Sequence, residues 1–185
     1  MGHDLCPNLV MLFGVGGAVA LISAMSLPWP VALASTALGA LMIAGAEVDA
    51  RTYLLPDAVT WSSIALGILA ASALNSFEPW LSAGAAVARA AATASALVLL
   101  RWGYGRIRGR EGLGLGDVKL AAAVGAWLPL ALIPFCFALA TGAALVTVVF
   151  ARLRGKSIAA TMKLPFGAFL CPALWLVFYV GEFSG

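Results

Sequence analysis

Apolar residues run through this chain in long stretches that are interrupted only by turn-like segments. A helix needs about 20 predominantly apolar residues to cross roughly 30 Å of hydrocarbon, and seven stretches approach that length. Proline, glycine and charged residues separate them, as in Leu27-Pro28-Trp29-Pro30. The pattern predicts helices near residues 9–27, 29–49, 57–74, 80–101, 117–132, 134–151 and 165–182.

These stretches predict an all-α, polytopic helical membrane protein with about seven transmembrane helices. The first stretch is interpreted as a retained span rather than a signal peptide, because no small-residue cleavage site followed by a soluble domain is evident. Residues 1–185 are predicted to form a single transmembrane domain.

The composition agrees with a membrane protein and excludes other classes. Of the 185 residues, 63% are hydrophobic and 10% are charged, against about 45–50% apolar and 25% charged in soluble domains. A soluble globule and a disordered chain are therefore excluded. The net charge of +3 does not indicate nucleic-acid binding, because Lys and Arg in a membrane protein mainly set its orientation.

The basic residues predict that orientation. Ten of the eleven fall at or near the second, fourth and sixth connections, which lie on one side of the membrane, whereas the opposite connections carry none. Because positive residues accumulate on the cytoplasmic side, the N-terminus is predicted in the cytoplasm and the C-terminus outside. The ten are Arg51, Arg101, Arg106, Arg108, Arg110, Lys119, Arg152, Arg154, Lys156 and Lys163.

Cysteine and histidine usage argues against metal chemistry. The three cysteines are far apart, no CxxC pair occurs, and His3 is the only histidine. Neither a zinc site, a disulfide framework nor a histidine-dependent triad is predicted, and no cofactor is expected.

Three aspartates are predicted at the cytoplasmic boundary. Asp49 ends the second stretch, Asp57 opens the third, and Asp117 opens the fifth directly after Gly114-Leu115-Gly116. An ionisable side chain at mid-helix costs roughly 2.5–3.5 kcal/mol on insertion scales, so each acid needs an explanation.

The three acids differ in how well an ordinary helix role explains them. Asp57 follows Pro56, which favours a structural role in the first turn of a helix. Asp117 has the same alternative, although Gly114 and Gly116 would also permit the close approach that a bound peptide backbone requires. Asp49 resists such an explanation, because an acid at a helix C-terminus faces the negative end of the dipole.

Two carboxyl groups that meet at a partly dry boundary have a specific chemistry. They do not both ionise easily, so the pair holds one proton and titrates as a unit. Aspartyl proteases use this state: one carboxylate takes a proton from a water, and the protonated partner donates to the peptide carbonyl.

Three segments of the chain resemble the signature segments of the type IV prepilin peptidase family, which are intramembrane aspartyl proteases of the GxGD type. The first runs from Asp49 through Leu54-Leu55-Pro56-Asp57, the second from Gly112 through Gly114-Leu115-Gly116-Asp117 to Leu128, and the third is Pro165-Phe166-Gly167-Ala168-Phe169-Leu170. They follow the family's order and spacing over roughly residues 40–180.

The resemblance implies both an activity and its residues. Asp49 and Asp117 would be the catalytic pair, Asp57 would not be catalytic, and Pro165 and Gly167 would belong to the substrate-facing region. Such a protein would lie in the bacterial inner membrane. It would cut the short basic leader of prepilins or pseudopilins after a glycine at the cytoplasmic boundary.

The chain departs from the long form of that family. Many bifunctional relatives also methylate the new N-terminus and carry a zinc-binding domain with two CxxC pairs between the first spans. Here only Ser26 to Pro30 join the first two stretches. A short, peptidase-only member is therefore expected.

The remaining charged residues have less specific interpretations. Glu47 lies two positions before Asp49 and so on a different helix face; it either reaches the headgroups or, with Asp57, attracts a basic leader. Arg89 lies deep in the fourth stretch and is assigned no catalytic role. The basic stretches are expected to contact anionic membrane lipids.

Two other functions are compatible with acids in a membrane protein. A proton-coupled transporter would place them near the midplane, in broken helices of repeated halves. A non-catalytic scaffold would leave the cost of Asp49 unexplained. Both are ranked below the peptidase.

Overall fold

The computed structural model describes residues 9–108, 114–154 and 165–184. These ranges contain seven helices and no strand, which confirms the all-α prediction. Arg110, Gly112, Lys156 and Lys163 lie outside the described residues. The helices are α1 (Leu9–Ser26), α2 (Trp29–Thr52), α3 (Asp57–Leu74), α4 (Pro79–Arg108), α5 (Leu115–Trp127), α6 (Ile133–Leu153) and α7 (Gly167–Ser184).

Five of the helices, α2, α3, α4, α6 and α7, are long and apolar enough to cross a membrane. The chain is therefore a polytopic helical membrane protein, as predicted. The described apolar part of α1, Phe13–Ser26, is shorter. Helix α5 has 13 residues, and at 1.5 Å per residue it is about 20 Å long, less than the thickness of the hydrocarbon core.

The short α5 corrects the predicted helix at 117–132. Leu128 leaves the helix with extended backbone angles, φ −100° and ψ 143°. It precedes Pro129, and a residue before proline is sterically disfavoured in the helical region. Hydropathy continues across this break, so the apolar pattern alone does not reveal it.

The end of α2 also differs from the prediction. The helix continues past Asp49 to Thr52, and Tyr53 ends it in the left-handed conformation with φ 55°. The Tyr53 N–H donates to the Asp49 carbonyl oxygen at 2.8 Å. Asp49 therefore lies in the last turn of α2 and not at its final residue, but it still faces the negative end of the helix dipole.

Helix α4 runs seven residues beyond its predicted end at Arg101. In this extension the Arg106 guanidinium lies 4.9 Å from the centre of the Trp102 ring. Trp102 and Arg106 are four residues apart, so they meet on one face of the helix and support its continuation.

The core is built around α2, α5 and α7. Leu38 and Met42 of α2, Leu120 of α5, and Leu170 and Leu174 of α7 belong to one cluster with almost no exposed surface. Many large apolar side chains elsewhere are exposed, including Phe135 and Leu145 of α6. Exposed apolar surface is expected where helices face lipid rather than water.

Helices α4 and α5 pack unusually closely. A Cβ atom at Gly125 would lie 2.5 Å from the backbone oxygen of Arg89. The Thr93 hydroxyl donates to the Ala121 carbonyl at 2.9 Å. Small residues allow this approach, which supplies van der Waals contact where no hydrophobic force acts between helices in lipid.

Four helix termini meet at one end of the bundle, which we term the acidic end. They are the C-terminus of α2 and the N-termini of α3, α5 and α7. A hydrogen bond from Ala168 to Asp49 connects α7 to α2, and one from Lys119 to Asp57 connects α5 to α3. Asp49, Asp57 and Asp117 all lie there, although 68 residues separate the first from the last.

Candidate active site

Asp49 is a buried acid held by the start of another helix. Its side chain is 6% exposed, and its Oδ2 accepts a hydrogen bond of 2.8 Å from the Ala168 N–H. The Gly167 N–H also hydrogen-bonds to it. Both donors belong to the first turn of α7. The positive end of the α7 dipole therefore offsets the unfavourable position of Asp49 at the negative end of α2.

Gly167 is the residue that lets α7 approach Asp49. A Cβ at this position would lie 2.8 Å from Asp49 Oδ2 and 3.0 Å from its Cγ. Phe166 opens the helix, because its carbonyl accepts the first bonds of α7 from Phe169 and Leu170. Pro165, half-buried, precedes it and limits how far the helix can extend backwards, because proline is tolerated only in the first turn of a helix. Pro165 and Gly167 thus shape the turn that faces Asp49.

Asp117 lies in the first turn of α5, and its side chain bends back toward the start of that helix. Its Oδ2 accepts a 3.3 Å hydrogen bond from the Gly114 N–H, the first backbone donor before the helix. This is the helix-start contact that the sequence left open for Asp117. The carboxyl group is half-buried, and it has one such backbone donor where Asp49 has two.

The two glycines before Asp117 have different neighbours. A Cβ at Gly114 would lie 3.3 Å from Asp117 Oδ2, so a side chain there would crowd the carboxylate. A Cβ at Gly116 would lie 3.2 Å from the Cβ of Leu55. Gly116 therefore allows α5 to approach the loop between α2 and α3.

Leu55 is a site neighbour that the sequence analysis did not single out. Besides facing Gly116, its side chain would lie 3.1 Å from a Cβ at Gly167 and 3.7 Å from one at Gly45. It thus fills the space between the loop after α2 and the starts of α5 and α7. The sequence shows that Leu55 lies between Asp49 and Pro56, but its contacts with the distant Gly116 and Gly167 are evident only in the structure.

Asp49 and Asp117 both lie beside Leu55. A Cβ at Gly167, which would lie against the Asp49 carboxyl group, would be 3.1 Å from Leu55 Cδ1, and a Cβ at Gly116, the residue before Asp117, would be 3.2 Å from Leu55 Cβ. Carboxyl groups from α2 and α5 therefore share one region beside the N-terminal half of α7.

Asp57 lies at the same end but is exposed. Its side chain retains 68% of its accessible surface and pairs with Lys119 Nζ at 2.6 Å. It is the first residue of α3, as predicted, and the N-cap residue before it, Pro56, makes no side-chain cap hydrogen bond. Its contact instead joins α3 to α5, two residues beyond Asp117.

Glu47 and Arg89 are both paired within the protein. The Glu47 side chain is 8% exposed and forms an ion pair with Arg51, one turn further along α2. The Arg89 Nε donates to the Gly125 carbonyl at 3.2 Å, near the C-terminus of α5. A cation there faces the negative end of the α5 dipole. This contact explains the depth of Arg89 in α4.

The part of the chain described by the structure contains no group of three His, Cys, Asp or Glu side chains arranged to hold a metal ion. What the acidic end offers chemically is two carboxyl groups in a partly buried setting, with backbone N–H groups directed at each. Such a pair is suited to general acid and general base roles.

Comparison with known proteins assigns the chain to a family. Residues 36–150 match the type IV leader peptidase family. The matched range includes Asp49, Asp57 and Asp117, whereas Pro165 and Gly167 lie beyond it. Since this match covers more than half of the chain, the protein belongs to the type IV leader peptidase family.

Similar relatives are described as prepilin leader peptidase/N-methyltransferase. The protein of Pseudomonas putida is 29% identical over 176 residues, covering 95% of this chain and 55% of the relative. That of Burkholderia pseudomallei (strain 1026b) is 35% identical over 166 residues, covering 90% and 48%. The chain thus spans about half the length of these relatives. No solved structure matches it.

Proposed function

We propose that this protein is an aspartic endopeptidase of the bacterial inner membrane that removes the basic leader from prepilins or pseudopilins after a glycine. The single observation that carries the proposal is that Asp49 and Asp117, on separate helices, both lie at the acidic end of the bundle, beside Leu55. The names of the relatives support the substrate class. The excess of basic residues supports a cytoplasmic position for this end.

The hydrogen bonds suggest how the pair divides its roles. Two backbone N–H donors and the start of α7 favour the negative charge on Asp49. Asp117 then holds the shared proton. In the first step Asp49 takes a proton from a water molecule whose oxygen bonds to the carbonyl carbon, while Asp117 gives its proton to the carbonyl oxygen.

The second step returns both acids to their starting states. The C–N bond breaks as the amine nitrogen takes the proton held by Asp49. Asp117 regains a proton from a hydroxyl of the gem-diol. The products are a carboxyl group on the leader and a free amine on the mature protein, and no further reactant is needed.

The position of the acids also bears on the rival function. A proton-coupled transporter would need acids near the bilayer midplane. Here all three aspartates lie at one end of the helices, where a leader that precedes a membrane helix is accessible. This placement favours the peptidase over the transporter.

The proposal is tested by co-expressing the protein with candidate prepilins and measuring leader removal. Asp49→Asn and Asp117→Asn are each expected to lower the cleavage rate by at least about 10²-fold, the usual contribution of a general acid or base. Glu78→Gln, which alters an exposed acid before α4, is the matched control and should cleave normally. Normal cleavage by either aspartate variant at normal protein levels would refute the assignment.

The same products test the expected absence of methyl transfer. Only Leu27 and Pro28 separate α1 from α2, so no inserted domain lies between these helices. Mass spectrometry of the mature N-terminus should therefore find a free amine. A methylated amine that depends on this protein would overturn that part of the proposal.

A further inference from the structure

A groove beside the acidic end has no role in the chemistry described so far. Helices α1 and α7 both pack on α2 but touch one another only sparsely, and a cavity of about 530 Å³ lies between them. Its lining is mostly apolar. The residues that matter for its interpretation are Val15 and Val19 of α1, Ala46 and Glu47 of α2, and Ala168 and Trp175 of α7.

Hydrogen bonds join the three helices toward the end remote from the aspartates. There the hydroxyl groups of Ser26 and Tyr179, near the C-termini of α1 and α7, are 2.8 Å apart and hydrogen-bonded. Further along, the Trp175 Nε1–H donates to Ser35 Oγ of α2 at 3.2 Å. These bonds join α1, α2 and α7 on one side of the cavity.

At its other end the groove reaches the candidate active site through Ala168. This residue lines the cavity, and its N–H donates to Asp49 Oδ2 at 2.8 Å. The ion pair of Glu47 and Arg51 lines the same end. The groove therefore passes from an apolar lining to charged side chains beside the Asp49 carboxylate.

We propose that this groove receives the apolar helix of the substrate, the segment that follows the scissile bond. The inference rests on the function proposed above. A helix lying against Val15 and Trp175 would bring its polar end past Ala168 to Asp49. The cavity has room for a few side chains, which suits one face of a helix rather than a complete helix.

The chemistry of the lining matches that occupant. The substrate changes from a charged leader to an apolar helix at the cleaved bond, and the lining changes in the same direction away from Asp49. Within lipid, helices associate by close packing.

Filling the groove tests the proposal. Ala46→Trp places a large ring in the cavity, while Ala88→Trp adds the same ring to an exposed position of α4 and serves as the control. Two substrates are compared: a complete prepilin, and a short peptide with the leader and the first residues after the cut. Thermal unfolding in detergent establishes that both variants are folded.

The groove is expected to matter only for the substrate that has a helix. Ala46→Trp should slow cleavage of the complete prepilin about tenfold or more and that of the short peptide by no more than about twofold. Ala88→Trp should change neither. Equal loss on both substrates, or no loss on either, would overturn the groove as a helix site.

A photocrosslinking residue at Val15, in an Asp49→Asn background, identifies the occupant directly. A covalent adduct with the prepilin supports the proposal, and an adduct with phospholipid alone overturns it. The same residue at the exposed Leu145 of α6 is the control. If the wild-type protein cleaves neither substrate, the proposed function itself fails, and the groove proposal fails with it.

Discussion

Adding one methyl group at Gly167 tests how closely α7 must approach Asp49. The Cβ of an alanine at this position would lie 2.8 Å from Asp49 Oδ2. Ordinary contact begins near 3.4 Å, so the carboxylate or the helix must shift by about 0.6 Å. Such a shift would stretch the 2.8 Å hydrogen bond from the Ala168 N–H beyond the normal range.

The magnitude follows from the bond that is lost. A hydrogen bond to a charged group contributes about 1.5–3 kcal/mol. Because this bond favours the state in which Asp49 is charged and Asp117 holds the proton, losing it lowers the population of that state, and with it the cleavage rate, by about 10- to 150-fold.

The assay measures prepilin cleavage by purified protein in detergent, with thermal unfolding measured on the same sample. Gly142→Ala is the matched control, because a Cβ there meets nothing within 4 Å and Gly142 lies in the middle of α6. This control should cleave normally and be as stable as the wild type or slightly more so. Wild-type cleavage by folded Gly167→Ala would refute the requirement for close approach.

Two further predictions concern the packing around α5. Gly125→Ala would put a Cβ 2.5 Å from the Arg89 backbone oxygen. We expect this overpacking to lower the free energy of unfolding by about 1–3 kcal/mol, measured by thermal unfolding. The control Gly84→Ala, where a Cβ meets nothing within 4 Å, should show no loss of stability in the same assay. Lys119→Met removes the pair with the exposed Asp57, and we expect a change below about 1 kcal/mol. If Lys119→Met instead lowers the free energy of unfolding by several kcal/mol, the pair stabilises the fold more than a surface ion pair would.

Part of the candidate site could be predicted from local rules. Asp49 was notable because an acid near a helix C-terminus opposes the dipole, and the structure supplies its compensation in α7. That partner is 119 residues away, so no local rule could identify it. The ion pair of Glu47 with Arg51 follows from helical spacing, whereas that of Asp57 with Lys119 joins two helices.

The partner of Arg89 could not be predicted from local rules either. Its position within an apolar stretch was evident, but its partner is the carbonyl of Gly125 near the end of α5. That carbonyl is within reach because α5 ends early, at Trp127. The cause is the geometry before Pro129, which interrupts a helix inside a segment whose hydropathy is continuous.

The sequence by itself determined the class of protein: long apolar stretches admit only helices in lipid, because every backbone N–H and C=O must be satisfied within its own segment. It also determined that Asp49, Asp57 and Asp117 share one end, since each lies at a helix boundary and helix direction alternates. Only the tertiary structure decided which helix terminus reaches each carboxyl group. Such contacts depend on packing between distant segments, where a single missing Cβ, as at Gly167, sets the distance.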